Sequence, residues 1–86
     1  MYSYEYFMSL SDDEIRNAAQ TQSKAIEFGQ NLLELREECL NKSDRFHSQG
    51  NSSLAYDYSQ KQKDLKPIYQ RFMDYVKEFQ AKGYWG

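Results

Sequence analysis

The chain has 86 residues, a formal net charge of −2 and a mean hydropathy of −0.96. This length limits it to one small domain, and the nearly balanced charge argues against a duplex nucleic acid partner, whose binding requires a basic face. Cys39 is the single cysteine, which excludes an intramolecular disulfide and a thiolate metal site. Aromatic residues make up 16% of the chain, and this share favours a folded protein over a disordered one.

The sequence shows no secretory signal pattern and no apolar run long enough to cross a bilayer. We therefore expect a soluble, intracellular protein with no membrane partner.

Residues 1–9 form an aromatic arm in which Tyr2, Tyr4 and Tyr6 alternate with other residues. Such alternation is typical of a strand, but the chain offers no second strand to pair with it. We expect either a short helical turn or an extended arm that lies on the helices. The rings of Tyr4, Tyr6 and Phe7 could stack on nucleobases, or they could pack on the core or on a neighbouring copy.

A long first helix is predicted over residues 11–48. Ser11 and Glu14 have the spacing of a capping box, in which each side chain accepts a hydrogen bond from the other residue's backbone. Gly50 is expected to end the helix in the left-handed conformation. Residues 49–53 then form the loop between the two main helices.

The first helix carries adjacent apolar heptad lines. They predict one apolar seam, which Phe28 and Leu35 widen on one flank. The two lines are Ala19, Ile26, Leu33 and Leu40, and beside them Ala18, Ala25, Leu32 and Cys39.

A second helix is predicted over residues 54–82, with aromatic residues in place of many heptad leucines. Pro67 interrupts it, because an interior proline removes a backbone hydrogen bond and costs about 3 kcal/mol. The helix either kinks there or splits into 54–66 and 67–82. The main repeat is Tyr58, Leu65, Phe72 and Phe79.

These elements predict an all-α fold with a single domain over residues 1–86. Two long helices, the second kinked at Pro67, form an antiparallel hairpin preceded by the aromatic arm. One hairpin seam cannot bury all the aromatic rings, so we expect a homo-oligomer. Residues 1–50 carry a net charge of −4 and residues 51–86 a net charge of +2, and these opposite signs favour association of the two halves and of copies.

No catalytic constellation, cofactor motif or metal site is predicted. His47 is the only histidine, and no serine or cysteine stands near it at a spacing that indicates a catalytic pair. Glu34, Glu37 and Glu38 have no histidine at the spacing of a metal-binding motif. The four glycines form no phosphate-binding loop. We therefore expect a binding protein and not an enzyme.

A polar stretch, residues 20–24, offers amide, hydroxyl and ammonium donors. These groups suit an anionic ligand such as a nucleotide, or they simply face water. Gly29 lies further along the helix and allows close approach of a ligand or of another helix. A glycine there costs roughly 1 kcal/mol relative to alanine, so some contact should offset it.

Two segments carry a family resemblance. The start Leu10-Ser11-Asp12-Asp13-Glu14-Ile15 and the later run Arg71-Phe72-Met73-Asp74-Tyr75-Val76-Lys77 resemble the helical-hairpin, phage-encoded anti-CBASS proteins. The resemblance covers roughly residues 6–80. Proteins of that family sequester the cyclic di- and trinucleotide signals of bacterial CBASS immunity. They assemble as hexamers with nucleotide pockets between protomers.

The resemblance implies a cyclic-oligonucleotide ligand, a homohexamer and action in the host cytoplasm. Tyr6 or Phe7 stands where the family has an aromatic residue that stacks on a base. The family also has a lysine in its first helix that contacts phosphate. Lys24 is the lysine available for this role, although the family's spacing, applied strictly, selects Gln22. Lys77 stands where family members tend to carry an arginine.

Two other functions stay open. The chain could be a small phage protein that binds and inhibits a host protein through its exposed aromatic residues. It could also be an enzyme, since Leu32-Leu33-Glu34-Leu35-Arg36 resembles the first helix of the small all-helical chorismate mutases. That reaction requires several convergent cationic side chains, and the chain supplies few candidates: Arg16, Arg36 and Lys24.

Overall fold

A computed structural model describes residues 2–85, and within them the protein is all-helical with no strand, as predicted. The outer bounds of the predicted domain, Met1 and Gly86, lie outside the described residues. The four helices are α1 (Tyr4–Met8), α2 (Asp12–Ala18), α3 (Gln22–Ser48) and α4 (Ser52–Ala81).

The N-terminal arm forms a helical turn, the first of the two conformations expected. The Ser3 side chain caps α1 by accepting a hydrogen bond from the Tyr6 backbone N–H at 3.1 Å. The predicted capping box of the next helix is confirmed. Ser11 Oγ accepts from the Glu14 N–H at 3.2 Å, and Glu14 Oε1 accepts from the Ser11 N–H at 3.1 Å.

The single first helix predicted over residues 11–48 is wrong, because the chain leaves the helix between α2 and α3. Thr21 has extended backbone angles, and its hydroxyl caps α3 by accepting from the Lys24 N–H at 3.3 Å. On the other side of the break, the indole N–H of Trp85 donates to the Ala19 carbonyl at 3.0 Å. These two bonds satisfy backbone groups that a continuous helix would have paired internally.

The turn between α3 and α4 is shorter than the predicted loop of residues 49–53. Gly50 has φ of 77°, as expected for a residue that ends a helix in the left-handed conformation. Asn51 then caps α4 by accepting from the Leu54 N–H at 3.3 Å, so α4 begins at Ser52.

Pro67 does not divide α4, which runs unbroken through it. The proline is exposed, while its neighbours Leu65 and Ile68 are buried. The missing N–H would have bonded the carbonyl of Lys63, another exposed residue, so water can hydrate that carbonyl. The split into 54–66 and 67–82 is therefore wrong, and the kink stays a prediction.

Helices α3 and α4 contact each other along their length. Near the turn, the Ser43 hydroxyl donates to the Ala55 carbonyl at 2.8 Å. Further on, Phe28 packs on Phe72 with ring centroids 4.7 Å apart. The short helices α1 and α2 pack against α4, and the whole structure measures 50 × 20 × 20 Å.

Aromatic rings form the centre of the core. Phe7 packs edge-on against Phe28, with centroids 5.4 Å apart, and Phe28 in turn contacts Phe72. One chain thus buries Phe7, Phe28, Phe72 and Phe79 by itself, because α1 and α2 cover the helix pair at one end, which a bare hairpin would leave open. Other rings, such as that of Tyr56, stay exposed, so the homo-oligomer expected from the number of rings stays a prediction.

The apolar seam predicted on the first helix divides in the structure. In its inner line, Ala25, Leu32 and Cys39 are buried and Ala18 is half-buried. Three residues of its outer line stay half exposed: Ile26 at 50%, Leu33 at 46% and Leu40 at 49%.

Replacing Gly29 with alanine is expected to stabilise the fold by up to about 1 kcal/mol, because helix propensity favours alanine. A Cβ added there would lie 3.5 Å from Phe72 Cε2, which is an ordinary contact. Thermal unfolding checks the result. Gly50→Ala is the matched control and should destabilise by about 1 kcal/mol, because Gly50 has a positive φ. A loss of stability in Gly29→Ala would contradict the expected fit beside Phe72.

Candidate ligand-binding cleft

A cleft of about 290 Å³ lies where the N-terminal arm and α2 meet the start of α3. We call it the Tyr6–Lys24 cleft, after the two predicted ligand-binding residues that it contains. Its walls combine aromatic, aliphatic, acidic and basic side chains. They are Tyr2, Tyr6, Leu10, Glu14, Asn17, Ala18, Lys24, Glu27 and Phe28.

Tyr6 supplies an accessible ring at this cleft. Its side chain is 40% exposed, and the ring stacks on Tyr2 with centroids 4.6 Å apart and planes 30° apart. Tyr6 also packs edge-on against the buried Phe7, with ring centroids 5.4 Å apart. These contacts hold the ring in place while part of it stays open to a flat ligand.

Lys24 lies in the first turn of α3, because the helix restarts after Thr21. The positive end of a helix dipole favours anions near its N-terminus, and an ammonium group adds a full positive charge. Among residues 2–85, none of the ion pairs includes Lys24. Its ammonium is therefore available to a ligand.

Two carboxylates also line the cleft. Glu14 accepts the backbone N–H of Ser11, and Glu27 accepts the hydroxyl of Tyr2 at 3.5 Å. The negative charge of Glu27, followed by burial, raises the pKa of Tyr2. This shift favours the protonated phenol, which is the form that donates the hydrogen bond to Glu27. The cleft of one chain thus carries two negative groups and one positive group.

Phe7 is not a stacking residue in this structure, which corrects its assignment as a ligand-binding residue. Its ring is 0% exposed, because it fills the space between α1 and the core beside Phe28. A base cannot reach it without unfolding α1. Of the adjacent pair Tyr6 and Phe7, only Tyr6 presents its ring at the cleft.

Tyr4 lies away from the Tyr6–Lys24 cleft and against α4. Its hydroxyl donates to Asp64 at 3.0 Å, and Lys61 Nζ lies 5.4 Å from the ring centroid. Burial, followed by the bond to Asp64, raises the pKa of Tyr4. The residue lines two other clefts, one of about 160 Å³ with Lys42 and Lys61 and one of about 300 Å³. Tyr4 therefore holds the N-terminal arm on α4 and does not line the cleft that contains Tyr6.

Gln22 and Lys77 do not line the Tyr6–Lys24 cleft. Gln22 is the exposed first residue of α3, two positions before Lys24. Lys77 is exposed on α4. Of the six predicted ligand-binding residues, the structure therefore brings together two, Tyr6 and Lys24.

The sequence analysis missed several lining residues. Glu27 could have been found, because it follows Lys24 by three positions and so lies on the same helix face. Tyr2 belonged to the predicted arm but was not assigned to the site. Nothing in the sequence identified Asn17 as a lining residue, because its place in the cleft depends on how α2 packs against α3.

Within residues 2–85, no cluster of histidine, cysteine, aspartate or glutamate side chains could hold a metal ion. None of the helices in this part of the chain is long and apolar enough to span a bilayer. Comparison of the chain with protein-family models, with curated proteins and with solved structures found no match.

Proposed function

We propose that this protein binds cyclic di- or trinucleotide signals and sequesters them without cleavage, and so blocks bacterial CBASS antiphage signalling. It would do so as a homo-oligomer of helical hairpins, a hexamer by the resemblance to anti-CBASS proteins. One observation carries the proposal: Tyr6 and Lys24, which were both assigned from the sequence, line the same cleft.

The chemistry of the cleft fits this ligand class. A base stacks on the accessible ring of Tyr6, a contact worth roughly 1–3 kcal/mol. The ammonium of Lys24 pairs with a phosphodiester, and a hydrogen bond to a charged group contributes about 1.5–3 kcal/mol. Sequestration requires affinity alone, so the proposal assigns no catalytic residue.

The size and charge of the cleft favour a pocket that two copies share. Its volume of about 290 Å³ lies just below the usual range for ligand pockets, about 300–1,000 Å³. Two phosphodiesters also need more positive charge than one lysine beside two carboxylates provides. In the proposal, a second copy therefore supplies the rest of the pocket and a further cation, for which the exposed Lys77 is a candidate.

Cyclic dinucleotides are expected to raise the melting temperature of the protein and to be recovered intact after it is denatured by heat. Tyr6→Ala should weaken binding roughly 5–150-fold, in line with the loss of one stacked base. Lys24→Ala should weaken it by a similar factor through loss of the phosphate contact. Isothermal titration with cyclic nucleotides and chromatography of the released ligand provide the measurements.

Lys63→Ala is the matched control for the lysine variant, because Lys63 is exposed on α4 and does not line the Tyr6–Lys24 cleft. It should bind as the wild-type protein does. Unchanged affinity in both Tyr6→Ala and Lys24→Ala would contradict the assigned site. The absence of any melting shift over a panel of cyclic di- and trinucleotides would contradict the function itself.

A second candidate function is inhibition of a host protein. It is favoured by exposed apolar side chains beside the α3–α4 turn, where Tyr56 is 64% exposed and Leu54 is 39% exposed. In this case one host protein should co-purify in stoichiometric amount. Its capture should be lost in Tyr56→Ala, while cyclic nucleotides leave the melting temperature unchanged.

A further inference from the structure

Glu27 is an acidic residue in a cleft for which we propose an anionic ligand. A carboxylate repels a phosphodiester, so in a bound nucleotide Glu27 must contact a different group. Glu14, the other carboxylate of the cleft, already forms the capping box of α2. Among residues 2–85, the Glu27 side chain takes part in none of the ion pairs, and one of its oxygens accepts the Tyr2 hydroxyl at 3.5 Å. Its second oxygen is therefore available to a ligand.

Glu27 and Lys24 lie on the same face of α3 and both line the cleft. They are three residues apart, which separates them by about 4.5 Å along the helix axis. Lys24 lies in the first turn, where the positive end of the helix dipole also favours a phosphate. A nucleotide that places its phosphate at Lys24 can therefore place its base beside Glu27, one turn further along the helix.

A pair of stacked rings connects Tyr6 to the same carboxylate. The Tyr2 ring stacks on the Tyr6 ring, with centroids 4.6 Å apart, and the Tyr2 hydroxyl donates to Glu27. These three residues thus line the cleft as a chain of neighbours. A base that stacks on the exposed part of the Tyr6 ring can direct its polar edge toward the Glu27 carboxylate.

We propose that Glu27 makes the cleft selective for cyclic nucleotides that contain guanine. The Watson–Crick edge of guanine presents two adjacent donors, N1–H and N2–H2, and one carboxylate can accept both. Adenine, cytosine and uracil each place an acceptor where guanine has one of these donors, and that acceptor would face a carboxylate oxygen. The inference rests on the proposed function, since it assigns the base that the same cleft prefers.

Titration calorimetry with cyclic di-GMP and cyclic di-AMP tests the selectivity of the wild-type protein. The two ligands have the same sugar–phosphate ring and differ only in their bases. The guanine ligand should bind about 5–150-fold more tightly, which is the discrimination that one good bidentate base contact provides.

Glu27→Gln should change the selectivity and not only the affinity. The substitution replaces one carboxylate oxygen with an N–H2 donor, so it removes a hydrogen bond to guanine and supplies one to N1 of adenine. Affinity for cyclic di-GMP should therefore fall by about 5–150-fold, while affinity for cyclic di-AMP should rise. A change that merely loosened the fold would weaken the binding of both ligands alike.

Glu14→Gln is the matched control, because it makes the same chemical change in the same cleft and glutamine also forms a capping box. It should keep the wild-type preference for guanine. Wild-type protein that binds both ligands equally, or a guanine preference that survives Glu27→Gln, would overturn the inference and leave sequestration intact. Binding of neither ligand, nor of any cyclic trinucleotide, would overturn the proposed function itself and the inference with it.

Discussion

Phe7→Ala is expected to lower the free energy of unfolding by about 3–5 kcal/mol, the usual cost of removing a buried phenylalanine ring. The ring is 0% exposed and contacts Phe28, so its loss leaves a cavity between α1 and the core. Because Phe7 holds α1 on the helix pair, the variant should also loosen the arm that carries Tyr6. Chemical denaturation monitored by circular dichroism measures the change.

Tyr56→Ala is the control, since it removes an aromatic ring that is 64% exposed. Surface substitutions of this kind usually stay within about 0.5 kcal/mol. A Phe7→Ala variant as stable as this control would mean that the ring is accessible. It would then restore Phe7 as a candidate for base stacking.

Leu32→Ala is expected to destabilise the protein by about 2–5 kcal/mol, because its side chain is 0% exposed within the core. Leu54→Ala makes the same chemical change at a position that is 39% exposed, and should cost less than about 1 kcal/mol. Thermal unfolding of the two variants at equal protein concentration provides the comparison. Equal losses would contradict the orientation of α3 in which Leu32 faces the core.

The local signals for helix ends were readable from the sequence. Ser11 and Glu14 form the predicted capping box, and Gly50 has the left-handed conformation that was expected. Such devices act between residues a few positions apart, so the rest of the fold hardly affects them. The all-α class followed in the same way from heptad patterns in both halves of the chain.

The candidate site was predicted only in part. Tyr6 and Lys24 meet in one cleft, but Phe7 is buried and Tyr4 is held on α4 by Asp64. Tyr6 and Phe7 are neighbours of similar shape, and the sequence contains nothing that decides which ring faces inward. That choice depends on the space beside Phe28, which exists only once α1 packs on the pair of helices α3 and α4.

The sequence by itself determined where α2 begins and where α3 ends, because capping and turn formation are short-range interactions. At the break before α3, the local cap at Thr21 combines with a tertiary contact, in which the indole N–H of Trp85 donates to the Ala19 carbonyl from the far end of the chain. Tertiary structure decided which of two adjacent apolar lines faces the core. Leu32 and Leu33 are equally hydrophobic, and the aromatic rings of α1 and α4 contact the side of α3 that buries Leu32 and leaves Leu33 exposed.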